Sequence, residues 1–400
     1  VVLGTTACSG GDEGGGGSGG EVTVGAILSM SGVYSTLGPP EKNAIEMGVA
    51  ELNKSGFTVA GKKHTMKFIY ADDKSEFATT GVAALRQMIQ VDKVPLVAFG
   101  VGSSGYAPQL ERNPIPMVNI LDSTYPSILD YSPHIYLMRG DSTTYVAGCV
   151  DYAKTKLNAK SVGIINTKGE PYSEGLTQLV QKYAGEQGVT VSSTADVALG
   201  STDYGSGISK VLSSKPDVVY LSSVTSVILP VLKQLRQAGW TGPVMHSSGV
   251  NPDQAKAILG DQYNDLMKDN FDCAGTLPTT SDSEKARTFA KDYQEYYNEY
   301  PQDLTMWAYD LPFVVADAMS KAGSVSDREK IEKALPEIGV PSGTVSGWLP
   351  STDGKLFTKR DARTLSEITV WCQNSKTIAS AMVFDGLGGK VANAKYRDNA

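Results

Sequence analysis

The chain has 400 residues, which is enough for two or three domains with sizeable hydrophobic cores. Hydrophobic residues make up 41% of the sequence and charged residues 20%, and no apolar run is long enough to span a bilayer, so the composition is that of a globular protein. A net charge of −7 argues against a nucleic-acid partner and against polybasic attachment to anionic lipid. The three scattered histidines and four cysteines without a C-x-x-C pair argue against a metal site, and no cofactor is expected.

The first 20 residues differ in kind from the rest of the chain. VVLGTTAC ends an apolar segment with small residues before Cys8, and the Gly-rich run SGGDEGGGGSGG follows. This pattern resembles a bacterial lipoprotein signal, which predicts lipidation of Cys8 and a flexible tether over 1–20. The alternative is an incidental cysteine in a leader. With the lipid anchor, the protein is expected outside the cytoplasm, in the periplasm or on the outer face of the cytoplasmic membrane, and its only membrane contact is the anchor.

Strand-like runs alternate with amphipathic helices from Glu21 onward. EVTVGAIL is a predicted strand, and EKNAIEMGVAELNKSG a predicted helix with Ala44, Ile45, Val49 and Leu52 on one face. HTMKFIYADD, the helical run FATTGVAALRQMIQ and the strand VPLVAFG continue the alternation. This order predicts a parallel sheet built from right-handed crossovers.

The same pattern restarts after Arg139. Strands are predicted at SVGIIN, VTVSSTADV, DVVYLSS and GPVMHSSG, with helices between them. The strand-like DNFDCAG, helices over 282–299, 305–322 and 327–335, and the strand SEITVWCQ complete the chain. The expected fold class is therefore α/β, with two doubly wound parallel-sheet lobes.

Two strand ends in the first lobe carry small hydroxyl residues. VPLVAF leads into GVGSSG, which contains Ser103 and Ser104, and the next apolar run ends in Asp122, Ser123 and Thr124. Ligands of open α/β sheets bind beyond the carboxyl ends of the strands, so a binding site is predicted here.

GVGSSG with Asp122 some twenty residues later also matches the dinucleotide-binding fingerprint. Three features oppose a dinucleotide-dependent enzyme. The helix that follows is cut short by Asn113-Pro114, the motif comes at the third strand rather than the first, and no base or nucleophile set lies near it in sequence. We therefore expect no enzyme.

Six segments, taken in order, resemble the branched-chain amino acid-binding group of ABC-importer solute-binding proteins, which have the type I periplasmic-binding-protein fold. They are GAILSMSGVYSTLGPPEKNAIEMGVAELN, VPLVAFGVGSSGYAPQLERNPIPMVN, YLMRG, NTKGEPYSEGL, LKQLRQAGWTGPVMHSSG and TMWAYDLPFVVADAM. The resemblance implies a monomer that closes on a small amino acid or other small carboxylate or amide and delivers it to an ABC permease. A ligand-sensing receptor domain of the same fold is the alternative.

The resemblance also implies two lobes joined by three hinge crossings, near Arg139, Cys273 and Trp348. The first lobe is expected to contain 21–139 and 274–348, and the second 140–273 and 349–400. An oxidising compartment would permit a disulfide between Cys273 and Cys372, although free buried thiols are equally compatible with the sequence.

Residues of the family's binding site carry over to matching positions. The serine turn, which holds the ligand carboxylate in this family, corresponds to Ser103 and Ser104. The other candidate ligand-binding residues are Tyr34, Leu121, Asp122, Ser123, Tyr172, Ser223, Thr225, Ser248, and one of Trp307 and Tyr309.

One departure from the family concerns the ligand's ammonium group. Amino acid binders of this family have a glutamate after the late strand, where this chain has Ser247 and Ser248. A buried ammonium needs an ionised partner. Either Asp122 replaces the glutamate, or the ligand is an aromatic or aliphatic carboxylate, an amide or a related small molecule.

Overall fold

In the computed structural model of the chain, residues 18–374, 376–386 and 389–397 are described. Cys8 and nearly all of the predicted tether lie outside these ranges, although the first strand already begins at Ser18, inside the segment predicted to be tether. No helix among the described residues has the length and apolar character needed to cross a membrane.

The strands of the described residues are, in chain order, β1 Ser18–Leu28, β2 Phe57–Val59, β3 Lys62–Asp72, β4 Val97–Phe99, β5 Met117–Asn119, β6 Ile135–Leu137, β7 Ser161–Lys168, β8 Thr190–Ala198, β9 Val218–Ser222, β10 Val244–His246, β11 Asn270–Gly275, β12 Phe357–Thr358, β13 Asp361–Ala362, β14 Ser366–Cys372, β15 Thr377–Asp385 and β16 Ala392–Tyr396.

The α-helices of the same residues are α1 Gly38–Ser55, α2 Val82–Gln90, α3 Ser103–Arg112, α4 Thr143–Thr155, α5 Pro171–Gln187, α6 Gly205–Ser213, α7 Thr225–Gln237, α8 Pro252–Leu259, α9 Tyr263–Leu266, α10 Glu284–Tyr297, α11 Asp303–Ala322 and α12 Arg328–Ala334.

The described strands form two sheets. The first has the order β12-β13-β6-β5-β4-β1-β3-β2, and the second has the order β16-β15-β14-β11-β10-β9-β7-β8. Central strands pair in parallel, as β1 does with β3 and β4, and β7 with β8 and β9. Antiparallel strands extend the edges, namely β2 and β12 in the first sheet and β14 to β16 in the second. The prediction of two α/β lobes is confirmed, with mixed rather than purely parallel sheets.

Both sheets are covered on both faces by helices. The first sheet packs against α1, α10, α11 and α12 on one face and against α2 and α3 on the other. The second sheet packs against α4 and α5 on one face and against α6, α7 and α8 on the other. We call the first sheet with its helices the first lobe, and the second sheet with its helices the second lobe.

The chain passes between the lobes after β6, after β11 and after β13. The first two passages lie beside Arg139 and Cys273, whereas the third follows β13, beyond the crossing expected near Trp348. Trp348 is buried in the first lobe, where its Nε1 donates to the carbonyl of Met138 at 2.8 Å. The short strands β12 and β13 then extend the first sheet beside β6, so the chain leaves this lobe only after Ala362.

The disulfide also differs from the expected pair. Cys149 on α4 is bonded to Cys273 on β11, with their Cα atoms 5.8 Å apart, and Cys372 is free. Both bonded cysteines belong to the second lobe, where α4 packs on β11. The bridge therefore fastens a helix to its own sheet and leaves the movement of one lobe against the other unrestrained.

Candidate functional site

A cavity of about 180 Å³ lies between the lobes. Its walls include the loops that follow β1, β4 and β5 in the first lobe and β9 and β10 in the second, together with the starts of α5 and α11. The cavity is thus placed beyond the carboxyl ends of parallel strands from both sheets. It is smaller than the roughly 300–1,000 Å³ of pockets that hold drug-sized molecules, which indicates a small ligand.

Most of the candidate residues from the sequence line this cavity. They come from six separate segments, and they are Tyr34, Ser104, Leu121, Asp122, Ser123, Tyr172, Thr225 and Ser248. Apolar side chains complete the wall, including Val33, Leu37, Phe77, Val101, Val224 and Leu304. The cavity therefore combines a few polar groups with a wall suited to an aliphatic or aromatic side chain.

Two of the predicted serines lie behind the wall. Ser103 is buried, and its hydroxyl donates to Asp122 at 2.8 Å. Ser223 is also buried, its hydroxyl is hydrogen-bonded to that of Thr167, and its carbonyl accepts from Ser248. Both hydroxyls are engaged within the protein, so neither side chain faces a ligand directly.

Neither predicted aromatic of α11 lines the cavity. Tyr309 packs in the core of the first lobe against Phe289 and Phe313, with ring centroids 4.9 and 5.7 Å away. Trp307 is buried too, and the guanidinium of Arg139 lies over its ring at 4.6 Å. The resemblance had suggested one of these aromatics for the cleft, but Tyr309 packs in the core and Trp307 supports Arg139.

Asp122 fills the serine turn with its own carboxylate. The N–H groups of Gly102 and Ser103 donate to Oδ2 of Asp122 at 3.1 and 3.0 Å, and the hydroxyl of Ser103 donates to the same oxygen. Oδ1 accepts from the N–H and the hydroxyl of Thr124. Because the turn begins α3, the carboxylate also lies at the positive end of the helix. Asp122 therefore acts as an internal anion for this turn.

Glu170 acts as an internal anion in the second lobe, as Asp122 does in the first. It precedes α5 as its N-cap and accepts from the N–H groups of Tyr172 and Ser173 at 3.1 and 2.7 Å. The hydroxyl of Tyr34, which belongs to the first lobe, donates to Oε1 of Glu170 at 2.7 Å. Burial, with the nearby negative charge of Glu170, raises the pKa of Tyr34, so this phenol stays protonated and can donate. This hydrogen bond joins the two lobes across the cavity in a closed arrangement.

A chain of hydroxyl groups connects the lobes near the hinge. Ser123 is hydrogen-bonded to the hydroxyl of Tyr145 at 2.8 Å, and Tyr145 to the hydroxyl of Tyr172 at 2.9 Å. Tyr172 in turn donates to the carbonyl of Ser247. Since these hydroxyls satisfy one another, they supply the cavity with a rigid polar wall.

Arg139 brings a positive charge to the cavity. It follows β6 at the first crossing, is only 8% exposed, and lies between the rings of Tyr145 and Trp307. Burial lowers the pKa of Arg139, but nearby groups that include Tyr145 and Asp303 raise it by more, so the guanidinium is cationic. Its one hydrogen bond to a described residue runs from Nη1 to the carbonyl of Leu121 at 3.5 Å.

Asp303 also lines the cavity, at the first position of α11. Its oxygens accept from the N–H groups of Leu304 and Gly275 at 2.8 and 3.2 Å. Burial raises its pKa, while Arg139 acts in the opposite direction. Among the described residues, no ion pair within 4.0 Å joins Asp303 to Arg139, so each keeps capacity for another partner. Nor do the described residues contain a group of three or more side chains placed to hold a metal ion.

Arg139, Glu170 and Asp303 are cavity residues that the sequence analysis did not select. Glu170 and Asp303 lie at the starts of helices, where a carboxylate is expected simply to cap the helix, so the sequence did not mark them as ligand-binding residues. The sequence did contain a signal for Arg139. It directly follows the apolar strand YLM, a position where a charged side chain usually has a function.

The sequence matches the family described as "Periplasmic binding protein" over residues 21–366. It is 27% identical over 334 residues to the "Leu/Ile/Val-binding protein homolog 3" of Brucella melitensis, covering 82% of this chain and 86% of the relative.

Solved structures share the fold. The leucine-binding protein LivK of Thermotoga maritima has a TM-score of 0.77 at 24% identity, over 91% of this chain and 99% of that one. A solute-binding protein of an ABC transporter from Rhodopseudomonas palustris, in complex with 4-hydroxybenzoate, has a TM-score of 0.75 at 22% identity, over 92% of this chain and 100% of that one. These likenesses confirm the type I two-lobe fold. The family match, which spans most of the chain, shows that the protein belongs to the periplasmic binding protein family.

Proposed function

We propose that this chain is the extracytoplasmic solute-binding subunit of an ABC importer, which captures a small amino acid or related carboxylate between its lobes. The observation that carries the proposal is the cavity itself, which lies between two lobes that are bridged from Tyr34 to Glu170. A ligand held by both lobes favours their closed arrangement, and a permease can recognise that arrangement.

The ligand class is supported by the walls of the cavity and by the relatives. Apolar residues such as Phe77 and Leu121 lie beside Arg139, which suits a molecule with one apolar part and one acidic group. The Brucella relative is named for leucine, isoleucine and valine, and the Rhodopseudomonas structure holds an aromatic carboxylate. Both ligand types combine an apolar group with a carboxylate.

The proposal extends to the place where the protein works. Lipidation of Cys8 would tether the lobes to the membrane through the Gly-rich segment, close to a permease. A monomer suffices for this role, because the cavity is built from one chain.

A ligand panel tests the proposal. The thermal midpoint of the purified protein is measured with aliphatic amino acids, their des-amino analogues, aromatic carboxylates and small amides, with a dinucleotide as the control. A bound ligand raises the midpoint by mass action. We expect amino acids or carboxylates to raise it and the dinucleotide to have no effect. A response to the dinucleotide alone, or to no member of the panel, would contradict the proposal.

A further inference from the structure

The serine turn of this chain already holds a carboxylate of the protein itself, that of Asp122. Three of its donors, the N–H groups of Gly102 and Ser103 and the hydroxyl of Ser103, already donate to Asp122. A second carboxylate at this turn would lie beside the first, and like charges in a buried site repel each other strongly. The acidic group of a solute must therefore be held elsewhere in the cavity.

Arg139 is the group with unused capacity for an anion. A guanidinium has five N–H donors, and here one of them makes a long hydrogen bond to Leu121. Within the described part of the chain, no residue accepts from Nε or Nη2 of Arg139, although the side chain is more than nine-tenths buried. The rings of Tyr145 and Trp307 stabilise its charge from the sides but accept no N–H bond in the plane of the guanidinium. A buried guanidinium with unused N–H donors favours a planar partner that has two acceptor oxygens, such as a carboxylate.

Asp303 lies on the same wall. Trp307, over whose ring the guanidinium of Arg139 lies, follows Asp303 by one turn of α11, so Asp303 is on the same helix as the ring that supports Arg139. Each oxygen of Asp303 accepts one backbone N–H, which leaves further acceptor capacity on both. The other two acidic residues of the cavity, Asp122 and Glu170, are occupied by helix N-termini and hydroxyl donors.

We propose that Arg139 binds the carboxylate of the solute and Asp303 binds its ammonium group, so that the cavity selects a zwitterionic amino acid. This assignment rests on the proposed function. In this assignment Asp303 is the counter-ion of the ammonium group, in place of the glutamate that the loop after the late strand lacks. Asp122 then has a structural role and does not contact the ligand. The side chain of the amino acid then lies against Phe77, Val101 and Leu121.

Three probes separate the two charges. L-leucine carries both, isocaproate lacks the ammonium group, and isoamylamine lacks the carboxylate. Their affinities are measured by isothermal titration with the wild type, Arg139→Gln and Asp303→Asn. Arg86→Gln and Asp317→Asn are the matched controls, because Arg86 is exposed on α2 and Asp317 is exposed on α11, outside the cavity.

We expect the wild type to bind L-leucine more tightly than either analogue. Arg139→Gln should weaken L-leucine and isocaproate about 100-fold or more and leave isoamylamine nearly unchanged, because only the carboxylate loses its partner. Asp303→Asn should weaken L-leucine at least about tenfold while isocaproate binds equally well or better. The controls should match the wild type.

Other outcomes overturn the assignment in distinguishable ways. If the wild type binds none of the probes and nothing in the panel, the proposed function fails as well. If L-leucine binds but both variants keep its affinity, the function stands and the assignment is wrong. Equal weakening of all three probes by Arg139→Gln would show a hinge role instead of ligand contact. If Arg139→Gln does not fold, Arg139→Lys replaces it, and this variant should still weaken the two carboxylate probes selectively because an ammonium cannot bind a carboxylate in the same forked geometry.

Discussion

Asp122 shows how one side chain can change the use of a binding turn. The sequence places it where an ammonium partner is conceivable, but the structure surrounds it with five donors from its own lobe. It was therefore possible to predict that Asp122 lies at the cavity, and not possible to predict that its charge is already satisfied. That distinction depends on the direction of the side chain, which the sequence pattern does not encode.

Asp122→Asn tests this interpretation. The amide keeps one acceptor oxygen but loses the charge that α3 stabilises, so we expect the free energy of unfolding to fall by about 1–2 kcal/mol in a denaturant titration. The affinity for L-leucine should fall less than tenfold. Asp130→Asn, an exposed aspartate of the same lobe, is the control. Loss of all L-leucine binding by a folded Asp122→Asn protein would instead make Asp122 the ammonium partner.

Asp361 provides a pH-dependent contribution at the third crossing. Burial, together with the charge of Asp141, raises its pKa to about 8, far above that of an exposed aspartate. The unfolded chain binds the proton less tightly, so the stability due to protonated Asp361 is fully present at low pH and is lost as the pH rises towards 8. We expect the wild type to lose at least about 1 kcal/mol of unfolding free energy between pH 6 and pH 9 at this site, since one pKa unit corresponds to about 1.4 kcal/mol.

Asp361→Asn should remove this part of the pH dependence, as measured by denaturant titrations at a series of pH values. Asp353→Asn, an exposed aspartate of the same region, should retain it. Identical pH profiles for Asp361→Asn and the wild type would show that Asp361 does not titrate in this range.

At the scale of elements, α5 meets the first lobe through a glycine. A Cβ atom on Gly175 would lie 2.5 Å from the carbonyl oxygen of Tyr125, a distance that real Cβ contacts do not reach. Tyr125 belongs to the first lobe and Gly175 to the second, so the closed arrangement requires the absence of a side chain here. Gly185 lies on the same helix with no atom within 4 Å of its Cβ position.

Gly175→Ala should therefore impair closure without damaging the fold. We expect the affinity for L-leucine to fall at least about tenfold by isothermal titration, because a displacement of an ångström or more between the lobes weakens contacts that both lobes make. The stability of the free protein should be unchanged or increased by up to about 1 kcal/mol, since alanine favours the helix. Gly185→Ala should bind normally. Equal affinities for the two variants would contradict this role of Gly175.

The elements themselves were largely predictable, and the exceptions share a cause. The repeated order of buried strand and amphipathic helix indicated both lobes, and turns rich in small polar residues indicated the strand ends that form the cavity. The strands β12 and β13 have two residues each, too few for any periodicity, so the third crossing was placed too early. The cysteine pairing failed for a related reason, because the contact between α4 and β11 is a tertiary one.

The whole molecule consists of two lobes whose separation we expect to depend on a solute. Each lobe has its own core on both faces of its sheet, and the disulfide lies within the second lobe. The contacts that join the lobes at the cavity include the hydrogen bond from Tyr34 to Glu170 and the chain of hydroxyl groups from Ser123 to Tyr172. Such an interface is expected to open and close, with the solute shifting the balance towards closure.

Small-angle X-ray scattering, with and without a saturating mixture of the common L-amino acids, measures closure of the lobes in solution. We expect the radius of gyration of the wild type to decrease when the mixture is added, and the decrease to be smaller or absent for Gly175→Ala. Gly185→Ala should behave as the wild type does. A radius of gyration that stays the same for the wild type at saturating amino acid would contradict capture of such a solute by closure of the lobes.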